Sequence, residues 1–215
     1  DGSPRRICTK NSLPELFNVP GILIYDIESD PDEGEDFLHG FLCIHSKNDC
    51  KWDIQGAKYH PILITQKENE KVSWRRLQKK FNSYKNWPIL HYGETELLVI
   101  KRLAKKQGLE EKEINQLLAR FIDIHARLRE SWKLPINSYS LKKVANWIGF
   151  QWTQNRVNGA KALLWWRQWK RKPKEDKSKK NHLDWIFIYN SDDCMATFKV
   201  ANWLIDQKNF NGKAN

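Results

Sequence analysis

The sequence predicts an α/β domain: a mixed sheet covered by helices. Three observations carry the prediction. Apolar, strand-like runs come first, and two of them are separated only by a turn-like segment. A short strand near residue 90 passes at once into a helix. Helical patterning then dominates to the C-terminus. Strands and helices in this order pack as helices on the faces of a sheet. The length of 215 residues suits one domain, spanning 1–215 with a core at about 20–207.

Each element follows from local pattern. Residues 21–28, GILIYDIE, read as a strand entered through Pro20 and Gly21. Ile22 and Ile24 fall on one face, Leu23 and Tyr25 on the other, and apolar residues on both faces imply a central, covered strand. The segment 29–36, SDPDEGED, has the Asp, Pro and Gly of a turn, so 37–45, FLHGFLCIH, should be a second strand antiparallel to the first. Residues 59–65 suit a third, with Pro61 near its start. A helix over 68–86 should carry Val72, Leu77 and Phe81 as its apolar stripe, with basic residues between. A strand at 87–92 leads into a helix at 93–107. Residues 121–130 open on a strand-like edge. A helix within 137–150 is entered through Ser138 or Ser140 and closed by Gly149. Residues 159–172 form a basic, tryptophan-rich helix. Residues 172–181, KPKEDKSKKN, read as a charged, mobile loop, and 182–207 as the longest helix.

Composition narrows the function. Hydrophobic residues at 40% and charged residues at 29% are ordinary for a globular protein. The net charge of +11 favours a polyanionic partner, nucleic acid first. No apolar stretch is long enough to span a membrane, and the N-terminus has no apolar leader, so no membrane partner and a cytoplasmic location are expected. The chain lacks an initiator Met, which suggests a piece of a longer polypeptide whose other domains would be partners. Cys8, Cys43, Cys50 and Cys194 form no CxxC pair. This argues against a zinc or iron–sulfur site, and reduced thiols are expected.

Asp26 and Glu28 raise the sharpest question. They lie two apart at the end of an apolar strand, so their side chains share a face. Adjacent half-buried carboxylates repel. A divalent cation removes the conflict, because hard oxygen ligands suit magnesium or manganese. Two further segments add acids. The short strand of WPILHYGETELL delivers His91, and Glu96 follows near the start of a helix. In IFIYNSDDCMAT, Tyr189 and Asp193 are four apart and share one helical face. Asp192 lies about 100° around the helix from that face.

Together these segments resemble a family. D-x-E on the first strand, an acid just after a later strand, and Y-x-x-x-D on a C-terminal helix are similar to the three exonuclease motifs of the DEDD superfamily, in its tyrosine variant. The stretches YDIESDP, LHGFL, ILHYGETE, FIDIHARL, SYSLKKVANWIGF and YNSDDCMAT resemble the ribonuclease H-like domain of predicted RecB-family nucleases and the YprB-like domains, over about 20 to 207. The resemblance implies a ribonuclease H-like mixed sheet flanked by helices. It also implies two Mg²⁺ or Mn²⁺ ions held by Asp26, Glu28, Glu96 and Asp193. Asp26 would bridge both ions, and Glu28 would bind the one on the nucleophile side. Asp193 would close the site, and Tyr189 would position the attacking water. Glu96 stands where most superfamily members have Asp, so its contact is expected to run through water. Asp123 matches an acid given a supporting role rather than ligation.

Substrate contacts are sought among cations and aromatics. Arg75, Arg76, Lys79 and Lys80 form one bank, and Lys142 with Lys143 another. Trp165 and Trp169 share a helical face among basic residues, an arrangement that suits stacking on single-stranded bases, while Trp166 must point elsewhere. A tryptophan-rich core helix is the competing reading. His91 and His125 could also touch substrate. The reading that results is a 3′–5′ exonuclease acting on single-stranded DNA or RNA by a two-metal mechanism. The alternatives are a structure-specific endonuclease on the same fold and a catalytically silent nucleic-acid-binding module attached to a helicase or nuclease.

Overall fold

The computed structural model describes residues 3–8, 12–48, 51–65, 70–173, 175–176 and 178–206. In chain order, β1 (Arg5–Arg6) is followed by a 3-10 turn at Pro14–Leu16, then β2 (Gly21–Asp30), β3 (Glu35–Asn48), β4 (Lys51–Trp52) and β5 (Lys58–Leu63). Next come α1 (Glu70–Ser83), β6 (Ile89–His91), α2 (Thr95–Lys106), α3 (Glu111–Leu118), β7 (Phe121–Asp123) and α4 (Ile124–Ser131). The chain closes with β8 (Trp132–Lys133), α5 (Leu141–Trp147), α6 (Gly159–Arg171) and α7 (Ser178–Asp206).

The main sheet runs β4-β3-β2-β6-β7, with β5 also paired to β3. It is mixed: β2 and β3 are antiparallel, whereas β2, β6 and β7 are parallel. A separate antiparallel pair joins β1 to β8. The alternation read from β2 places its residues as expected. Ile22 and Ile24 belong to the core shared with α4, α5 and α7. Leu23 and Tyr25 face the core shared with α1, α2 and α3. The result is a sheet between two helical layers, the arrangement that buries both faces of a central strand.

Several boundaries differ from the sequence reading, each for a physical reason. The turn between β2 and β3 shrinks to residues 31–34, with Gly34 at φ +63°, a conformation that favours glycine. Asp30 is therefore in the strand. It is buried there because α6 supplies Arg167, whose Nε and Nη2 donate to it at 2.9 and 2.6 Å. Val72 is 44% exposed, and the buried stripe of α1 is Trp74, Leu77 and Phe81. The ambiguous segment 121–130 splits into β7 and α4, because Asp123 caps the helix by accepting from the backbone N–H of His125 and Ala126. Helix α5 has Ser140 at its N-cap, and Gly149 follows it at φ +89°. In the segment read as a mobile loop, Asp176 accepts from the N–H and Oγ–H of Ser178, and the helix begins at Ser178. Lys174, Lys177, Gln207 and Cys50 lie outside the described residues, as do the first two positions of the helix expected at 68–86. Cys8, Cys43 and Cys194 are free thiols.

Helix α7 explains much of the architecture. Its buried residues, among them Ile186, Asn190, Cys194, Phe198 and Leu204, form a broad face, while Trp185, Ile188 and Lys199 lie exposed on the other side. So wide a buried face marks a helix set deep in the fold. It lies against β2 and β3 and is covered by α5 and α6. Any polar side chain on that buried face must therefore find a partner within the protein.

Candidate metal centre

The site forms where β2 meets the middle of α7. Asp26 and Glu28 continue the side of β2 that carries Ile22 and Ile24, so both turn toward that helix. Helix α7 brings Tyr189, Asn190 and Asp193 to meet them. One carboxylate oxygen from each of Asp26, Glu28 and Asp193 lies within 4.8 Å of the others. The register of β2 and β3 shifts just beyond Glu28, where Ser29 pairs with Asp36 and Phe37 is the extra residue. Bulges commonly re-aim side chains beside functional sites.

Burial and mutual repulsion set the electrostatics. Burial pushes the Asp26 carboxyl well above its ordinary range, and Asp193, Glu28 and Glu96 push it further. Glu28 rises to about 8, through burial first and Asp193 second, against the hydrogen bond from Asn190. Asp193 rises to about 6 through burial, moderated by hydrogen bonds from Trp152 and Tyr189 and by the charge of Lys142. Three acids that ionise this reluctantly fit a place where a cation supplies the missing charge.

Asn190 was not singled out in the sequence, yet it is central. Its side chain is fully buried, and Nδ2 donates to Asp26 at 2.6 Å and to Glu28 at 3.3 Å. Its Oδ1 accepts from the Tyr59 hydroxyl at 2.7 Å, which fixes the amide's orientation. Gly40, paired with Asp26 across the sheet, makes the space: a Cβ there would lie 1.6 Å from Asn190 Oδ1. The only local signal was an amide beside the motif tyrosine, and its partners are distant in sequence. Trp152 is a second residue the sequence did not single out. Its Nε1 donates to Asp193 at 2.6 Å.

The remaining expected residues separate clearly. Tyr189 is buried and donates its hydroxyl to Asp193, and burial and nearby carboxylates raise its pKa. Glu96 sits in the first turn of α2 at 5% exposure and is not one of the three clustered acids. Among the described residues its Oε2 has no hydrogen-bond partner; it is buried 3.7 Å from His91 Nδ1. A buried carboxylate oxygen left unsatisfied calls for a water or an ion. Asp123 accepts from Gly93 N–H at 3.0 Å besides capping α4, so it braces the loop that leads to Glu96. Asp192 turns away from the cluster and accepts from the Thr153 backbone N–H and hydroxyl at 2.7 and 3.0 Å.

The expected substrate contacts fare unevenly. His91 is 1% exposed and donates Nδ1–H to the Gly93 carbonyl, so its ring offers no face to a substrate. Trp165 is buried at 8% exposure in a core cluster and packs on Trp185. Trp166 stacks between Phe37 and Trp169, at 4.4 and 5.0 Å between centroids. These rings complete a core rather than a stacking platform, because i, i+4 spacing defines a shared face but not what covers it. Lys142 donates to the Val157 carbonyl and lies 5.5 Å from the Trp152 ring, and Lys143 is exposed. The bank on α1 lies on the opposite face of the sheet from Asp26 and Glu28, because α1 packs with Leu23 and Tyr25.

Among the described residues no helix is long and apolar enough to cross a membrane. No curated protein and no solved structure matches the chain. A family model does, over residues 23–205, from near the start of β2 almost to the end of α7. It takes in each acid of the cluster, and the acids fit the divalent-metal chemistry by which such proteins hydrolyse nucleic acids. By that match, which covers most of its length, the chain belongs to the RNase H superfamily.

Proposed function

We propose that the protein is a 3′–5′ exonuclease of the DEDD type, in its tyrosine variant, acting on single-stranded DNA or RNA with two Mg²⁺ or Mn²⁺ ions. The observation that carries this reading is the convergence of Asp26, Glu28 and Asp193 within 4.8 Å, with the buried Glu96 Oε2, which has no hydrogen-bond partner among the described residues, adding its charge to Asp26 and Glu28. When bound, such ions stabilise the attacking and leaving oxygens of an in-line phosphoryl displacement and lower the pKa of water.

The chain's own residues supply the rest. Asp26, Glu28 and Asp193 are the direct ligands in this reading, and Glu96 acts from a greater distance. Asn190 holds Asp26 and Glu28 in register by donating to both. The Tyr189 hydroxyl stays protonated at neutral pH, since burial raises its pKa, so it orients the nucleophile and does not deprotonate it. Trp152 fixes Asp193 from the other side.

The test is digestion of end-labelled single-stranded DNA and RNA with Mg²⁺ or Mn²⁺. A ladder that shortens from the 3′ end, absent in Asp26→Asn, supports the proposal. Internal cuts without end-dependence would favour an endonuclease on the same fold. One observation favours a catalytically silent binding module: Glu96 stands outside the clustered acids. Binding of single strands with no cleavage under either metal would establish that alternative.

A further inference from the structure

A groove of about 720 Å³ opens beside the cluster, with Asp26 in its wall. Tyr92, His125, Arg129, Ser138 and Tyr139 are among the residues that line it. This volume lies within the ~300–1,000 Å³ typical of ligand clefts.

Its chemistry is specific. Three cationic or cation-forming side chains follow one another on α4, at 125, 127 and 129. Arg127 turns away and is held by the Glu15 carboxylate and the Ser12 carbonyl. His125 and Arg129 are i, i+4, share one helical face, and both enter the groove. Among the described residues, Arg129 makes no hydrogen bond or ion pair, so its planar set of donors is available to an anion. The two tyrosines contribute ring surface, because their hydroxyls are already engaged. Tyr92 donates to the Tyr139 carbonyl at 2.6 Å, and the Tyr139 hydroxyl accepts from Leu134 N–H at 2.8 Å. The His125 ring lies 5.2 Å from that of Tyr92.

A guanidinium without a partner among the described residues, an imidazole beside it and aromatic faces leading to a carboxylate cluster suit one ligand class, a single phosphodiester strand. We infer that this groove is the path of the substrate strand: Arg129 and His125 hold the phosphate neighbouring the scissile one, and Tyr92 and Tyr139 receive its base. The inference rests on the nuclease reading for the direction of the strand toward Asp26, but binding in the groove can be measured without turnover. Arg129 is a binding residue in this account and takes no part in bond breaking.

The experiment measures the salt dependence of binding. Labelled oligothymidylate and oligouridylate are titrated with the Asp26→Asn chain in Mg²⁺ over a range of NaCl, with Arg129→Gln and Arg127→Gln each added to that background. Arg129→Gln should weaken binding of either strand about tenfold at low salt, the loss expected for one charge-assisted contact. It should also reduce the slope of log K against log salt by about 0.7, the value for one phosphate on a single strand. Arg127→Gln removes the same charge from the same helix and should leave the slope unchanged. With the otherwise wild-type chain, Arg129→Gln should raise KM with little change in kcat. Equal slopes for Arg129→Gln and its parent, or no binding of either strand, would overturn the inference. Cleavage by wild type with an Arg129→Gln variant unchanged in KM removes the groove and leaves the nuclease reading standing. A slope set by Arg129 in a chain that neither binds Mn²⁺ nor cleaves keeps the groove and removes that reading.

Discussion

Tyr189 and Asn190 are neighbours on α7 with opposite duties. Tyr189 donates its hydroxyl to Asp193, whereas Asn190 serves the two acids of β2. The difference is testable at Tyr189. Its aromatic body is part of a core cluster, so Tyr189→Phe keeps the packing and removes one hydroxyl. The expected result is retained Mn²⁺ binding, a stability loss of about 1 kcal/mol for the hydrogen bond, and a fall in turnover on the order of 10²-fold, as small misplacements of reacting groups can cost. Single-turnover digestion beside a thermal melt makes the measurement. A variant that cleaves at the wild-type rate would remove the role assigned to the tyrosine.

At the scale of elements, the site depends on how closely β3 approaches α7. Gly40 permits that approach, and a methyl group there collides with Asn190. Gly40→Ala should cost about 1–3 kcal/mol, as overpacking does. The thermal midpoint should fall by roughly 5 °C, and Mn²⁺ affinity should fall in parallel as Asn190 loses its grip on Asp26 and Glu28. Calorimetric titration beside a melt would show both, and unchanged affinity would contradict the clamp. The elements also show what the sequence could and could not reveal. The faces of β2 were legible because Ile22, Leu23, Ile24 and Tyr25 alternate between two covered sides. Spacing made two pairs legible, Asp26 with Glu28 and Tyr189 with Asp193, and the resemblance to the DEDD motifs joined them; the fold brings Asp26, Glu28 and Asp193 together. Helix α3 was missed because its stripe is a single turn, Ile114, Leu117 and Leu118, of which only Ile114 is fully buried. The clamp was missed because Gly40, Tyr59 and Asn190 meet only in the fold. For Trp165 the converse holds: its face was readable but the Trp185 ring that covers it was not, so the stacking and core readings both stayed open.

The whole molecule carries the consequences of three reluctant acids. Asp26, Glu28 and Asp193 bind protons more tightly in the folded chain than when unfolded. The metal-free folded state therefore holds the extra protons once pH exceeds the ordinary carboxylate range. Stability conferred by these groups is complete below about pH 4. It is lost as pH rises through about 6 for Asp193 and about 8 for Glu28. Chemical denaturation in a chelator should show stability declining over that window, and Asp26→Asn should flatten the decline by removing one repelling charge. Divalent ions should do the opposite, because they bind the deprotonated acids, so their stabilising effect should grow with pH. A metal-free protein whose stability climbs from pH 5 to pH 8 would contradict this electrostatic account. The most direct test of the central claim, that these acids converge in order to hold cations, is anomalous diffraction from a crystal soaked in Mn²⁺. The account predicts one or two peaks among Asp26, Glu28 and Asp193, each within about 2.6 Å of a carboxylate oxygen. No peak at saturating Mn²⁺, with Asp26 and Glu28 still held only by Asn190, would contradict it.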